Sequence, residues 1–176
     1  MQHAVCCCIF FIIISDSIRC DDTFGLLQTI TKPAAHSDSE FIPSSLAMSG
    51  EYFAVGTPYD DNGQDGGTWT ANVSNEGSVY MYKLDSTVAA RPVWSFVQKI
   101  IAFDASGGDW FGTMVVMNEE YLAVTTQTLG VIYMYALDNT GAWVFLSKLT
   151  AGGLEVPVGD TSFGSSLAMS GAHLVV

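Results

Sequence analysis

The sequence predicts an all-β chain made of repeated four-stranded antiparallel sheets, and three observations carry that reading. The run Ser44-Ser45-Leu46-Ala47-Met48-Ser49-Gly50 returns unchanged as Ser165-Ser166-Leu167-Ala168-Met169-Ser170-Gly171. A second run, Gly77-Ser78-Val79-Tyr80-Met81-Tyr82, returns in diverged form as Gly130-Val131-Ile132-Tyr133-Met134-Tyr135. Each run is short, rich in Val, Ile, Tyr, Phe and Met, and bounded by Gly, Ser, Asn, Asp or Pro, the composition of strands and their turns, and none shows helical periodicity.

Taken in order, the repeat unit has four segments. The first opens at Ile42, Phe111 and Phe163, with Thr113-Met114-Val115-Val116-Met117-Asn118-Glu119 as the diverged middle copy, and an aliphatic residue 13 positions on (Val55, Val124, Val176) marks the second. The third is the Gly77 and Gly130 run. The fourth is Trp94-Ser95-Phe96-Val97-Gln98-Lys99-Ile100 and Trp143-Val144-Phe145-Leu146-Ser147-Lys148-Leu149, and Phe24-Gly25-Leu26-Leu27-Gln28-Thr29-Ile30 matches it near the N-terminus. The periods are 69 (42 to 111) and 52 (111 to 163), and the difference falls in connections, chiefly Val55 to Gly77 at 22 positions against 6 for Val124 to Gly130. In the third segment Val79 and Met81 face one way and Tyr80 and Tyr82 the other, so both faces are apolar and both must be covered. Sheets covered on both sides by copies of themselves are propeller blades. The expected fold is therefore a partial β-propeller with full blades at 42–102 and 111–151 and incomplete blades at 24–31 and 163–176. Tyr80, Tyr82, Tyr133, Tyr135, Trp94 and Trp143 recur at matching positions, the mark of packing.

Across 176 residues, 49% hydrophobic, the chain holds 6 basic and 18 acidic residues for a formal net charge of -12. Such a surface repels phosphate backbones and anionic lipid, which argues against nucleic acid or a membrane surface as partner and leaves cations and basic partners open. The apolar run Ala4 to Ile14 is too short to span a bilayer but suits the core of a secretory signal peptide over 1–17, the alternative being a misassigned start codon. No transmembrane span is expected in this chain. Cys6, Cys7 and Cys8 lie inside that signal and Cys20 would stand alone, so neither a metal site nor a disulfide framework is expected. Asn72-Val73-Ser74 is an N-glycosylation sequon, meaningful if the chain is secreted.

Phe163-Gly164 opening a repeat, Leu-Ala-Met-Ser-Gly in the first strand and Val55-Gly56-Thr57-Pro58 ending the second resemble FG-GAP repeats, the blades of integrin α-subunit propellers and of many extracellular proteins. The resemblance covers 24–176 and implies a secreted or cell-surface module for adhesion or protein binding. Departures are Ile42-Pro43 in place of Phe-Gly, Gly56-Thr57-Pro58 in place of Gly-Ala-Pro, and Thr125-Thr126-Gln127 where the motif is abandoned. Integrin-type calcium loops lie between the first and second strands, where this chain has only Ser49-Gly50-Glu51, Asn118-Glu119-Glu120 and Ser170-Gly171-Ala172, so those sites do not carry over.

In an antiparallel meander the turn after strand two and the link after strand four emerge on one face. That face collects Asp60, Asp61, Asp65 and Glu76 from the long loop, and Asp104, Asp109, Glu155 and Asp160 from the links. With Asn62 and with Trp69 from the insertion, it is the expected binding face. Asp60-Asp61-Asn62-Gly63-Gln64-Asp65-Gly66 offers oxygen ligands for calcium through Asp60, Asp61, Asn62 and Asp65, though its glycines fall out of step with a calcium loop, and a solvated polar turn is the alternative. His3, His36 and His173 are scattered, and no nucleophile elbow, phosphate loop or His-Glu-x-x-His motif occurs, so no catalytic residue is assigned and no enzyme activity is expected. The expected partners are a protein or extracellular-matrix ligand, together with further blades of a longer chain or a second copy. The alternatives are an accessory propeller of a larger hydrolase, or a truncated gene product without separate function.

Overall fold

The computed structural model describes residues 28–31, 33, 42–61, 75–85, 87, 93–127, 130–151 and 163–176. The expected signal segment 1–17, Asn62, Asp65, Trp69, Asn72, Glu155 and Asp160 lie outside them. The chain is all-β, and no helix among the described residues is long and apolar enough to cross a membrane.

Blade 1 is the antiparallel meander β1 (Ser45–Ser49), β2 (Tyr52–Thr57), β3 (Ser78–Asp85) and β4 (Val93–Ile100), and blade 2 repeats it as β5 (Val115–Met117), β6 (Tyr121–Thr125), β7 (Val131–Leu137) and β8 (Trp143–Thr150). A two-stranded hairpin, β9 (Ala168–Ser170) and β10 (His173–Val175), begins a third sheet beside β5. The blades share an irregularity as well as a topology. Between β3 and β4 the register slips at Met81/Tyr82, leaving Val97 without an opposite residue, and between β7 and β8 it slips at Met134/Tyr135, leaving Leu146 so. A bulge kept at one place in both copies bends the outer strand of each blade in the same sense.

The alternation in β3 sorts its side chains as the sequence requires. Val79 and Met81 join Tyr52, Ala54 and Ile100 on the face that meets blade 2, where Leu122, Val124, Tyr133, Tyr135 and Trp143 complete one core. Tyr80 and Tyr82 turn to the other face and pack with Phe53, Val55, Trp94 and Ile30. The inner strands β2 and β3 of blade 1 are thus buried on both faces, and Trp143 and Tyr52 meet edge to face across the blade interface at 5.5 Å. Each large aromatic side chain in these cores contributes about 2 kcal/mol when fully buried.

Candidate binding face at the blade junction

Where blade 1 passes to blade 2, three chain segments run side by side with almost no space between their backbones. The link residue Phe111 is fully buried and forms a parallel bridge to Gly77, its N–H donating to the Glu76 carbonyl at 2.9 Å, while the Trp110 N–H donates to the Asn75 carbonyl at 3.1 Å. Gly112 follows with φ of +94°, and its carbonyl accepts the Ser45 hydroxyl at 2.9 Å. A Cβ on Gly56 would stand 2.1 Å from that carbonyl oxygen, and one on Gly77 2.1 Å from the carbonyl oxygen of Phe111. Neither approach tolerates any other residue. Asn75 and Trp110, the described non-glycine residues with positive φ, meet at this same point.

Each blade also draws a carboxylate onto a cross-strand Tyr/Lys pair. In blade 1 Tyr80 lies opposite Lys99, and Asp60 Oδ2 accepts from the Ser78 hydroxyl, from the Tyr80 hydroxyl at 2.7 Å and from Lys99 Nζ at 2.9 Å. Asp60 is completely buried and Lys99 nearly so. Thr57 extends the network by donating to the Ser78 carbonyl. In blade 2 the equivalent pair is Tyr133 and Lys148, but its carboxylate is Asp104 from the link, with Lys148 Nζ at 2.6 Å and the Tyr133 hydroxyl at 2.8 Å. In both blades the lysine lies over the tyrosine ring, at 5.3 and 4.9 Å from its centre. Partial burial pulls the Asp104 carboxyl upward, yet the hydrogen bonds from Lys148 and Tyr133 outweigh it and hold the group below the ordinary aspartate range. Burial and the bond to Asp60 push the Tyr80 hydroxyl far above the usual tyrosine value. Val131 stands where blade 1 has Ser78, and the Thr126 hydroxyl, which matches Thr57, is buried without a partner.

Beside this network the acids crowd. Asp61 accepts the Asn75 N–H at 2.6 Å, and Asp109 accepts the Ser106 N–H at 2.8 Å and is itself buried. Between them Glu76 is 7% exposed, and its Oε2 has no hydrogen-bond partner. Burial raises the Glu76 carboxyl above the ordinary glutamate value, and the negative charges of Asp61, Asp109 and Asp60 raise it further, with Lys99 opposing. Among the described residues no group of three His, Cys, Asp or Glu side chains is arranged to hold a metal ion.

A family model described as FG-GAP repeat matches residues 94–128. The chain carries an FG-GAP repeat. No curated protein and no solved structure matches the chain. The matched FG-GAP segment begins in β4, crosses the link with Phe111 and Gly112, and closes just after β6. The sequence unit of the repeat is therefore a junction, the last strand of one blade and the first two of the next, rather than a blade.

The two blades bring Asp60, Asp61, Glu76 and Asp109 to one end of their junction and set Asp104 at the corresponding end of blade 2. Sequence reasoning treated Asp60 and Asp61 alike as loop acids, whereas the structure separates them: Asp60 is interior and saturated by donors, while Asp61 reaches the surface. The recurrent lysines at 99 and 148, each five residues after the tryptophan near the start of the outer strand, were the signal for the two paired carboxylates, of which only Asp60 is buried. Glu76 gives a direct pH test. A carboxyl raised on folding contributes stability that is fully present below its unfolded value near 4.5 and is lost as pH rises through its folded value. Glu76→Gln is expected to raise the urea midpoint at pH 7 and to leave it nearly unchanged at pH 4. Equal midpoint shifts at the two pH values would refute the assignment.

Proposed function

We propose that the chain is a secreted or cell-surface binding module, without catalytic activity, that engages a protein or extracellular-matrix ligand through the loop face at the junction of blades 1 and 2. The observation that carries this reading is the crowding of Asp61, Glu76 and Asp109 at the loop end of that junction, on a chain of net charge -12. Carboxylates held together with one oxygen unpartnered favour a ligand that brings positive charge. The resemblance to integrin α-subunit propellers and the sequon at Asn72 support an extracellular setting.

The test is biolayer interferometry of the full chain against a panel of purified matrix proteins, with and without calcium. Asp61 is the group to vary, being partly exposed. At least one basic matrix protein is expected to bind, with Asp61→Lys weakening it by about tenfold and rising salt weakening it further. Binding that ignores both the substitution and salt would move the ligand surface elsewhere on the molecule.

A further inference from the structure

The outer strand of each blade has one feature that the acidic face does not use. Gln98, on β4 of blade 1, reaches blade 2 and makes two hydrogen bonds to one residue: its Nε2 donates to the Trp143 carbonyl at 2.9 Å, and its Oε1 accepts the Trp143 N–H at 2.8 Å. Gln28 does the same to blade 1, its Nε2 donating to the Trp94 carbonyl at 2.8 Å and its Oε1 accepting the Trp94 N–H at 2.7 Å. Trp94 and Trp143 occupy equivalent places near the start of the outermost strand of their sheets. A primary amide has the donor and acceptor spacing of a peptide group, so each glutamine acts as one extra rung on a sheet edge.

A second contact accompanies the first in both places. Two residues after Gln98, Ile100 is buried in the core between the blades, and two residues after Gln28, Ile30 is buried against Phe53, Val55, Tyr80, Tyr82 and Trp94. The geometry points to Gln-x-Ile as the docking code of this array: the isoleucine plugs the apolar face of the following blade while the glutamine locks the rim at its tryptophan. Residues 28–31 are then a surrogate outer strand, seated on blade 1 as β4 is seated on blade 2. Blade 2 carries Ser147-Lys148-Leu149 at the matching place, where a hydroxyl is too short to bridge and Leu149 is exposed. Its hold on the third sheet lies at the other end of the blade instead, where Asn118 Nδ2 donates to the Gly171 carbonyl at 2.6 Å. The code therefore couples the N-terminal segment, blade 1 and blade 2 at the rim and stops there.

Amide hydrogen exchange on the full chain, followed by NMR at the two tryptophan N–H groups, tests this. Gln98→Ala is expected to speed exchange at Trp143 by about tenfold, the effect of losing a pair of hydrogen bonds, and to leave Trp94 within about twofold; Gln28→Ala is expected to do the reverse. A merely structural role for either glutamine would speed both amides together. That result, or an unchanged rate at the residue each glutamine bridges, overturns the proposal. Should an alanine variant fail to fold, Gln98→Met and Gln28→Met keep the side-chain length without the amide and are read in the same way.

Discussion

Gly56→Ala is expected to unfold the chain at temperatures where the parent is stable, and to do so through a single methyl group. That methyl would stand 2.1 Å from the Gly112 carbonyl oxygen and 2.3 Å from the Ser45 hydroxyl. The hydroxyl can rotate away, but the carbonyl belongs to a backbone fixed between the Gly112 N–H bond to Thr125 and the buried Phe111, so the strands of the two blades would have to part. Overpacking against immovable backbone falls in the large-effect class, here about 4 kcal/mol. Gly108→Ala is the control with the opposite balance: its φ of +82° is unfavourable for alanine, as the strand backbone at Gly56 is not, but nothing lies within 4 Å of the added carbon, so only backbone strain of about 1 kcal/mol is expected. Urea denaturation of both variants reads the difference, and comparable midpoint losses would show that the close approach at Gly56 relaxes freely.

Asp60→Asn should produce the next largest loss, about 3 kcal/mol, because Lys99 would remain largely buried without its charged partner. The matching change at Asp104, whose side chain is 38% exposed and paired with a partly exposed Lys148, should cost about 0.5 kcal/mol. The two carboxylates serve equivalent Tyr/Lys pairs, so the contrast isolates burial from chemistry. Adding Lys99→Met to Asp60→Asn removes the stranded charge and is expected to recover part of the stability. A double variant less stable than Asp60→Asn alone would mean that Lys99 is held by the Tyr80 ring and the surrounding field rather than by Asp60.

Much of the fold could be read from residue order because the repeat supplies its own alignment. The alternation of Val79 and Met81 against Tyr80 and Tyr82 required two covered faces, and two separate cores cover them. The candidate site was legible only as far as its end of the molecule. That Asp60 turns inward while Asp61 does not depends on Ser78, Tyr80 and Lys99 presenting donors at one point, a coincidence of two strands that no spacing rule encodes. Gln98 was hidden for a different reason: a single glutamine in an outer strand looks like an ordinary solvated residue until the neighbouring blade places a free peptide edge against it.

The phase of the repeat has an engineering consequence. Because the matched segment takes β4 from one blade and β5 and β6 from the next, cutting the chain at repeat boundaries divides every sheet it touches, leaving fragments with two unpaired edges apiece. Shuffling or lengthening such an array would then preserve the tightest backbone contacts, Gly56 and Gly77 against Phe111 and Gly112, only if each piece keeps residues 56–112 together, because a cut in the connection from Asp85 to Val93 places the two sides of those contacts on different pieces. A circularly permuted chain opened at that connection would keep every junction intact, trading one covalent hairpin for a pairing that the β3 and β4 ladder already holds.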